Sequence, residues 1–243
     1  MNPSDPIVNA IALIPARGGS KRIPNKNSRL FCGQPLLAYS VNAALQSKLF
    51  SRVIVSTDSE NIAALAVEMG AVAPFKRPAH IADDHATIND VVVHTLAKLA
   101  EQNQTPEFLC CLFATAPMIS VADIKQGLKL LRENTQFNQA LAVTSFPFPI
   151  QRALQVDEKE GLTMVDTRFR NTRSQDLPER YHDAGQFFWS RVTGKSTNSR
   201  QGALPVFIDR YRVQDIDTPE DWQTAEIQYQ AWKIMQKSQG HAA

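Results

Sequence analysis

Short apolar runs alternate with stretches of helical period through most of this 243-residue sequence, and no other feature restricts the available folds as much. Ile11 to Ile14 is a short, β-branched apolar run that reads as a buried first strand. Leu36, Leu37, Ser40, Val41, Ala44 and Leu45 then recur at helical spacing, which predicts a helix from Pro35 to about Lys48 with proline in its first turn. Val53 to Ser56 is a second strand, and Asp58 or Ser59 caps a helix with apolar face Ile62, Leu65, Ala66 and Met69, closed by Gly70. Thr87 or Asn89 opens a helix with Ile88, Val91, Val92, Thr95, Leu96 and Leu99 inward. Phe108 to Phe113 is a continuous apolar run, hence a fully buried central strand. Val121, Ile124, Leu128 and Leu131 mark another helix, and Ala140 to Thr144 another strand. This rhythm predicts an α/β fold whose mainly parallel sheet is covered on both faces. Ligands in such folds bind at the carboxyl ends of the strands. No repeat or linker is evident, so residues 1–243 read as one domain.

The alternation breaks from Ser145 to Tyr181, where Phe146-Pro-Phe-Pro149 precedes two short strand-like pieces, Leu154 to Val156 and Leu162 to Val165. We read an insert of about 145–190 that leaves the main sheet. An arm of this kind buries its aromatics against a partner, whereas a monomer must hide them itself. Trp222, Ala225, Tyr229 and Trp232 form a final helix face, and Ser238 to Ala243 are expected to fray.

The first strand runs into Pro15, which has no N–H for the ladder, and then into Gly18 and Gly19, which free the backbone to turn and present amides. Arg17, Lys21, Arg22 and Lys26 lie within ten residues with no acid among them. Amides plus cations suit a polyphosphate; a solvated basic loop is the other reading. The loop is neither a P-loop, since no Gly-Lys pair is present, nor the dinucleotide fingerprint G-x-G-x-x-G. Net charge is only +2, so no overall field favours nucleic acid or an anionic membrane, and no apolar run approaches membrane-spanning length. Met1 to Asn9 is polar, without the form of a signal peptide, which points to the cytoplasm. Cys110 and Cys111 sit in an apolar run and read as core residues; with Cys32 they make neither a disulfide framework nor a zinc site.

Asp215 and Asp217 are two apart at an expected strand end, so their carboxylates share a face. Two such groups repel unless a cation sits between them, and Mg2+ held by a few carboxylates plus phosphate oxygens fits. A helix start, with Thr218 capping, Pro219 first and Glu220 and Asp221 at the dipole, accounts for Thr218 to Asp221 but not for Asp215.

The stretch from Ile14 to Asn27 matches every fixed position of (I/L)-P-A-R-G-G-S-K-x-(I/L)-P-x-K-N and so resembles the cytidylyltransferases that activate nonulosonic acids, the sialic acid synthetase family. The resemblance implies a Rossmann-like nucleotidyltransferase fold with a β-rich dimerisation insert, and transfer of CMP from CTP to a sugar's anomeric hydroxyl, with Mg2+ on Asp215 and Asp217. It places Ala16, Arg17, Gly18, Gly19, Ser20 and Lys21 on the triphosphate, and Lys26 and Asn27 near the α-phosphate and nucleotide. Arg77 would contact the nucleotide, with Ala86 and Thr87 beside the cytosine and ribose. His85 reads as a surface or capping histidine. Phe113, Thr115, Arg152, Arg173, Gln175 and Gln186 would face the sugar, with Phe187 and Phe188 adding apolar wall from the same or the partner subunit, or one of the two packing in the core. Relatives that use sialic acid have glutamine and arginine where this chain has Phe113 and Ile119. Ala114-Thr-Ala-Pro117, Ser145-Phe-Pro-Phe-Pro149 and His182-Asp-Ala-Gly-Gln-Phe187 resemble the pseudaminic acid branch. Sialic, legionaminic and KDO cytidylyltransferases, and a nucleotide-binding module that has lost catalysis, are the alternatives; retention of Arg17, Lys21, Lys26, Asp215 and Asp217 argues against the last.

Overall fold

The computed structural model describes residues 9–159, 161–192 and 202–240. In chain order the strands and helices are β1 (Ala10–Pro15), β2 (Leu30–Phe31), β3 (Gln34–Pro35), α1 (Leu36–Ser47), β4 (Arg52–Ser56), α2 (Glu60–Glu68), α3 (Ile88–Glu101), β5 (Phe108–Leu112), α4 (Val121–Glu133), β6 (Gln139–Ser145), β7 (Leu154–Asp157), β8 (Gly161–Met164), β9 (Tyr181–Arg191), β10 (Leu204–Phe207) and α5 (Pro219–Gly240). Pro35 precedes α1 instead of lying in its first turn, and Lys48 ends it in the left-handed conformation. α5 runs to Gly240, beyond the point where fraying was expected; residues 241–243, like 1–8, lie outside the described residues.

The main sheet has the order β10-β6-β9-β5-β1-β4. β4, β1 and β5 are mutually parallel, as are β10 and β6, and β9 runs antiparallel between β5 and β6. The parallel architecture is as expected. The extent of the insert is not: residues 181–190 belong to a central strand of the sheet. Phe187 and Trp189 on that strand are fully buried, and burying them holds β9 inside the sheet, where a peripheral arm would expose them. Only the stretch between β6 and β9 leaves the sheet, and there β7 and β8 pair as a hairpin.

β1 shows why both sheet faces are covered. Ala10, Ala12 and Ile14 point into the core beneath α1, α2 and α4, while Ile11 and Leu13 join Val92 and Leu99 of α3 on the other side. Cys110 and Cys111 divide between the same two cores, and burial pushes both thiols up. α4 approaches β9 so closely that a Cβ on Gly127 would lie 2.6 Å from Cδ1 of Trp189. A third cluster, Ile23, Phe31, Leu36, Tyr39, Ile216, Trp222 and Ala225, ties α5 to the opening loop. It brings residues nearly 200 positions apart to one end of the sheet.

Candidate active site

The loop after β1, the end of β4 and the end of β5 meet at the carboxyl edge of the sheet, where a fold of this class places ligands. Asp58 does not cap α2; Ser59 does, by accepting from the Ile62 amide. Asp58 is thereby released to accept from the Gly18 amide at 2.9 Å, which anchors the glycine turn. Gly18 sits close to α2, where a Cβ would lie 3.0 Å from Ser59 Cβ and oblige that residue to give by a few tenths of an ångström, while Gly19 has open space around it. Asn27, buried, donates to the Arg17 carbonyl at 3.0 Å and closes the loop on itself.

This loop walls a cavity of ≈ 300 Å³ lined by Arg17, Ser20, Lys21, Arg22, Lys26 and Asn27, with Arg77, Ala86 and Thr87 opposite. Arg17 and Lys21 both reach Asp84, at 2.7 and 2.5 Å, and these two hydrogen bonds, that of Lys21 first, hold its carboxyl down to about 2. Arg77 is buried with its guanidinium on the Ser56 hydroxyl and carbonyl; burial lowers its pKa, opposed in part by the charge of Asp58. Among the described residues it has no carboxylate within ion-pair distance, so it is a desolvated cation at the cavity wall. Thr87, not Asn89, caps α3, in a reciprocal box with Asp90. His85 is exposed. The methyl of Ala16 packs in the core, which leaves only its backbone for a ligand.

A second cavity, of ≈ 600 Å³, adjoins the first and shares Phe113 and Thr115 with it. Its other walls are His182 to Gly185 of β9 and Val213 to Asp215. Asp217 lines the first cavity and Asp215 the second. The expected strand end is absent here: residues 213–217 form no regular structure, and the two carboxylates straddle the junction instead of sharing a face. They remain close enough to feel each other. Burial raises the Asp215 carboxyl, and the charge of Asp217 raises it further, against the opposing charge of Lys26. Asp217 meets Arg22 at 2.8 Å and Lys26 at 3.2 Å, and Lys26 also donates to the Ile216 carbonyl at 2.6 Å. A helix does start beside them, with Thr218 and Asp221 exchanging cap bonds. Asp215, partly desolvated, and Asp217 are the carboxylates at this junction that would hold Mg2+, with phosphate oxygens completing the site. Among the described residues no cluster of three or more acidic, His or Cys groups is placed to hold an ion.

The remaining expected sugar contacts divide. Phe113 lines both cavities and packs edge-on against Phe188, 6.4 Å away. Phe188 itself lines a separate groove beside α3. Phe187 is core, because alternation along β9 turns it toward α4, and Ile119 is buried in that core too. Gln186 is buried and donates to the Arg212 carbonyl at 2.7 Å. Arg152, Arg173 and Gln175 lie on the exposed arm, and none of them lines either cavity of its own chain. His182, Asp183 and Gln214 line the second cavity and were not expected there; the His182-Asp-Ala-Gly185 departure was the signal available in the sequence.

A protein family described as cytidylyltransferase matches residues 11–236. Pseudaminic acid cytidylyltransferase of Campylobacter jejuni is 40% identical over 222 residues, covering 90% of this chain and 95% of that protein. N-acylneuraminate cytidylyltransferase of Escherichia coli is 32% identical over 231 residues, covering 93% of this chain and 53% of that protein. Among solved structures, CMP:2-keto-3-deoxy-manno-octonic acid synthetase complexed with CTP superposes with a TM-score of 0.65 at 18% identity, over 90% of this chain and 97% of that one. That likeness is one of fold, the Rossmann-like nucleotidyltransferase fold that the resemblance of the opening loop implied.

Proposed function

The chain belongs to the cytidylyltransferase family, and from that premise we propose that it transfers CMP from CTP to the anomeric hydroxyl of pseudaminic acid. One observation carries the reading: a cation-lined cavity meets a second cavity without Lys or Arg among its lining residues, and a carboxylate stands on either side of the junction. The anomeric oxygen bonds to the α-phosphorus, the bond to the bridging oxygen of pyrophosphate breaks, and the hydroxyl proton leaves to solvent. Arg17, Lys21 and the loop amides hold the β- and γ-phosphates, while Lys26 and the buried Arg77 hold the nucleotide end. The chain's main task is positioning plus charge neutralisation. Asp215 and Asp217 would hold Mg2+, which when bound lowers the charge at the α-phosphate and the pKa of the attacking hydroxyl.

Phe113 supports the choice of sugar. N-acetylneuraminic acid has a hydroxyl-rich tail, whereas pseudaminic acid has an acetamido group at C7 and a methyl at C9. An aromatic wall accommodates the methyl and leaves a hydroxyl without a partner, at ~1–3 kcal/mol for each one stranded. With Ile119 withdrawn into the core, the preference rests on Phe113 and amounts to at least ~10-fold in kcat/KM. Pyrophosphate release from CTP, measured with each sugar under the same Mg2+, tests this; equal rates would refute the role given to Phe113.

We further propose a homodimer acting in the cytoplasm, where CTP is available. Phe148 and Val156 of the arm are 80% and 82% exposed, which a second copy would cover. A carboxylate sugar needs a cation that the second cavity lacks among its own lining residues, and Arg152 and Arg173 of the partner subunit would supply it. Light scattering should give twice the chain mass; a fully active monomer would refute the dimer.

A further inference from the structure

The second cavity is bounded by two irregular segments, Phe113–Met118 after β5 and Val213–Asp217 before α5, and one buried side chain fastens them together. Arg212 has only 9% of its side chain exposed. Its Nε and Nη2 donate to the Met118 carbonyl at 3.4 and 3.1 Å, and Nη2 also pairs with Asp123 in the first turn of α4. The guanidinium lies 5.3 Å over the Trp232 ring of α5. Its own carbonyl accepts from Gln186 of β9. Asp123 is held in turn, accepting from the Ser120 hydroxyl at 2.6 Å. Residue 212 is therefore fixed to α4, α5, β9 and the end of the Phe113–Met118 segment at once. Asp215 follows three residues later and is gripped on its far side by Ile216, which is fully buried.

We infer that Arg212 is a positioning residue that sets the separation between the Thr115 wall and the Asp215 wall of the sugar cavity, and with it the placement of the two carboxylates. A buried ion pair adds little net stability relative to an apolar replacement, and fixing register is its best-attested use. Lysine would keep the charge beside Asp123 but has no planar fork with which to hold the Met118 carbonyl as well. The inference rests on the proposed reaction.

Two variants test it. Arg212→Lys retains the charge; Arg212→Met/Asp123→Asn removes the pair without stranding a buried carboxylate. Both should fold with melting temperatures near wild type. Both should lose ~10- to 100-fold in kcat/KM for the sugar, with kcat falling and sugar KM rising, while the CTP dissociation constant measured by calorimetry in EDTA stays within about 2-fold. Folded variants with wild-type sugar kinetics would overturn the inference, as would an equal loss in CTP binding, which signals a global structural role. A wild-type protein that releases no pyrophosphate overturns both the reaction and the strut; an active wild type matched by its variants overturns the strut alone.

Discussion

The cavity beside the opening loop draws Arg17, Lys21, Arg22, Lys26 and Arg77 into its lining, whereas the adjoining cavity has His182, Asp183, Gln214 and Asp215 but neither Lys nor Arg. Apart from Arg77, the cations of the first come from one contiguous stretch of about ten residues. The second is assembled from the end of β5, the start of β9 and the segment before α5, which are far apart in sequence. On the proposed reaction, the contrast separates two tasks. Recognition of a triphosphate needs charge and amides, which a single glycine turn can present. Recognition of a sugar needs shape and a few placed polar groups, which only converging segments provide.

Four substitutions sharpen or break this division. The largest effect is expected at the junction: Asp217→Asn should lower kcat at saturating Mg2+ by at least ~10-fold, through loss of charge stabilisation at the α-phosphate. A folded variant with near-wild-type turnover would remove Asp217 from the chemistry. Next, Arg77→Met should weaken CTP binding by ~10-fold, the loss of one charge-assisted contact, with sugar KM unchanged. If sugar KM moved equally, the cavities would not be functionally separate. Phe113→Gln, on the shared wall, should shift the ratio of kcat/KM toward N-acetylneuraminic acid by ~10-fold; an unchanged ratio would mean that the preference is set elsewhere.

The smallest effect concerns Asp84. Its folded pKa is depressed to about 2, below the ordinary 3.8, so its contribution to stability is fully present above 3.8 and is lost as pH falls through 2. The melting temperature of Asp84→Asn should therefore lie slightly below wild type at neutral pH, and the two should converge as pH falls to about 2. The pairs are exposed, which keeps the difference small. A difference that grew on acidification would reverse the assignment.

What could be read in advance follows the same division. β1, β4, β5 and β6, with α1 to α4, appear where apolar period placed them, because each buries a face whose spacing is local. Arg17, Lys21, Lys26 and Asn27 line one cavity because a loop keeps its neighbours together. Local pattern does not separate β9 from the arm before it, since its pairing with β5 and β6 spans some 40 to 80 residues and leaves no local trace beyond the alternation of Phe187 and Trp189. The same alternation sends Phe187 into the core and out of the lining of the second cavity.

By itself, the sequence determined the layered α/β class, the position of the basic glycine loop and the capping of α5 by Thr218, all of which depend on period, proline, glycine and capping residues within a few turns of each other. The tertiary structure alone decided that Asp58 anchors Gly18, that Asp215 and Asp217 face different cavities, and that Arg212 joins the segments between them. The physical reason is that those choices are made by burial and hydrogen bonding between segments whose separation in sequence carries no period to read.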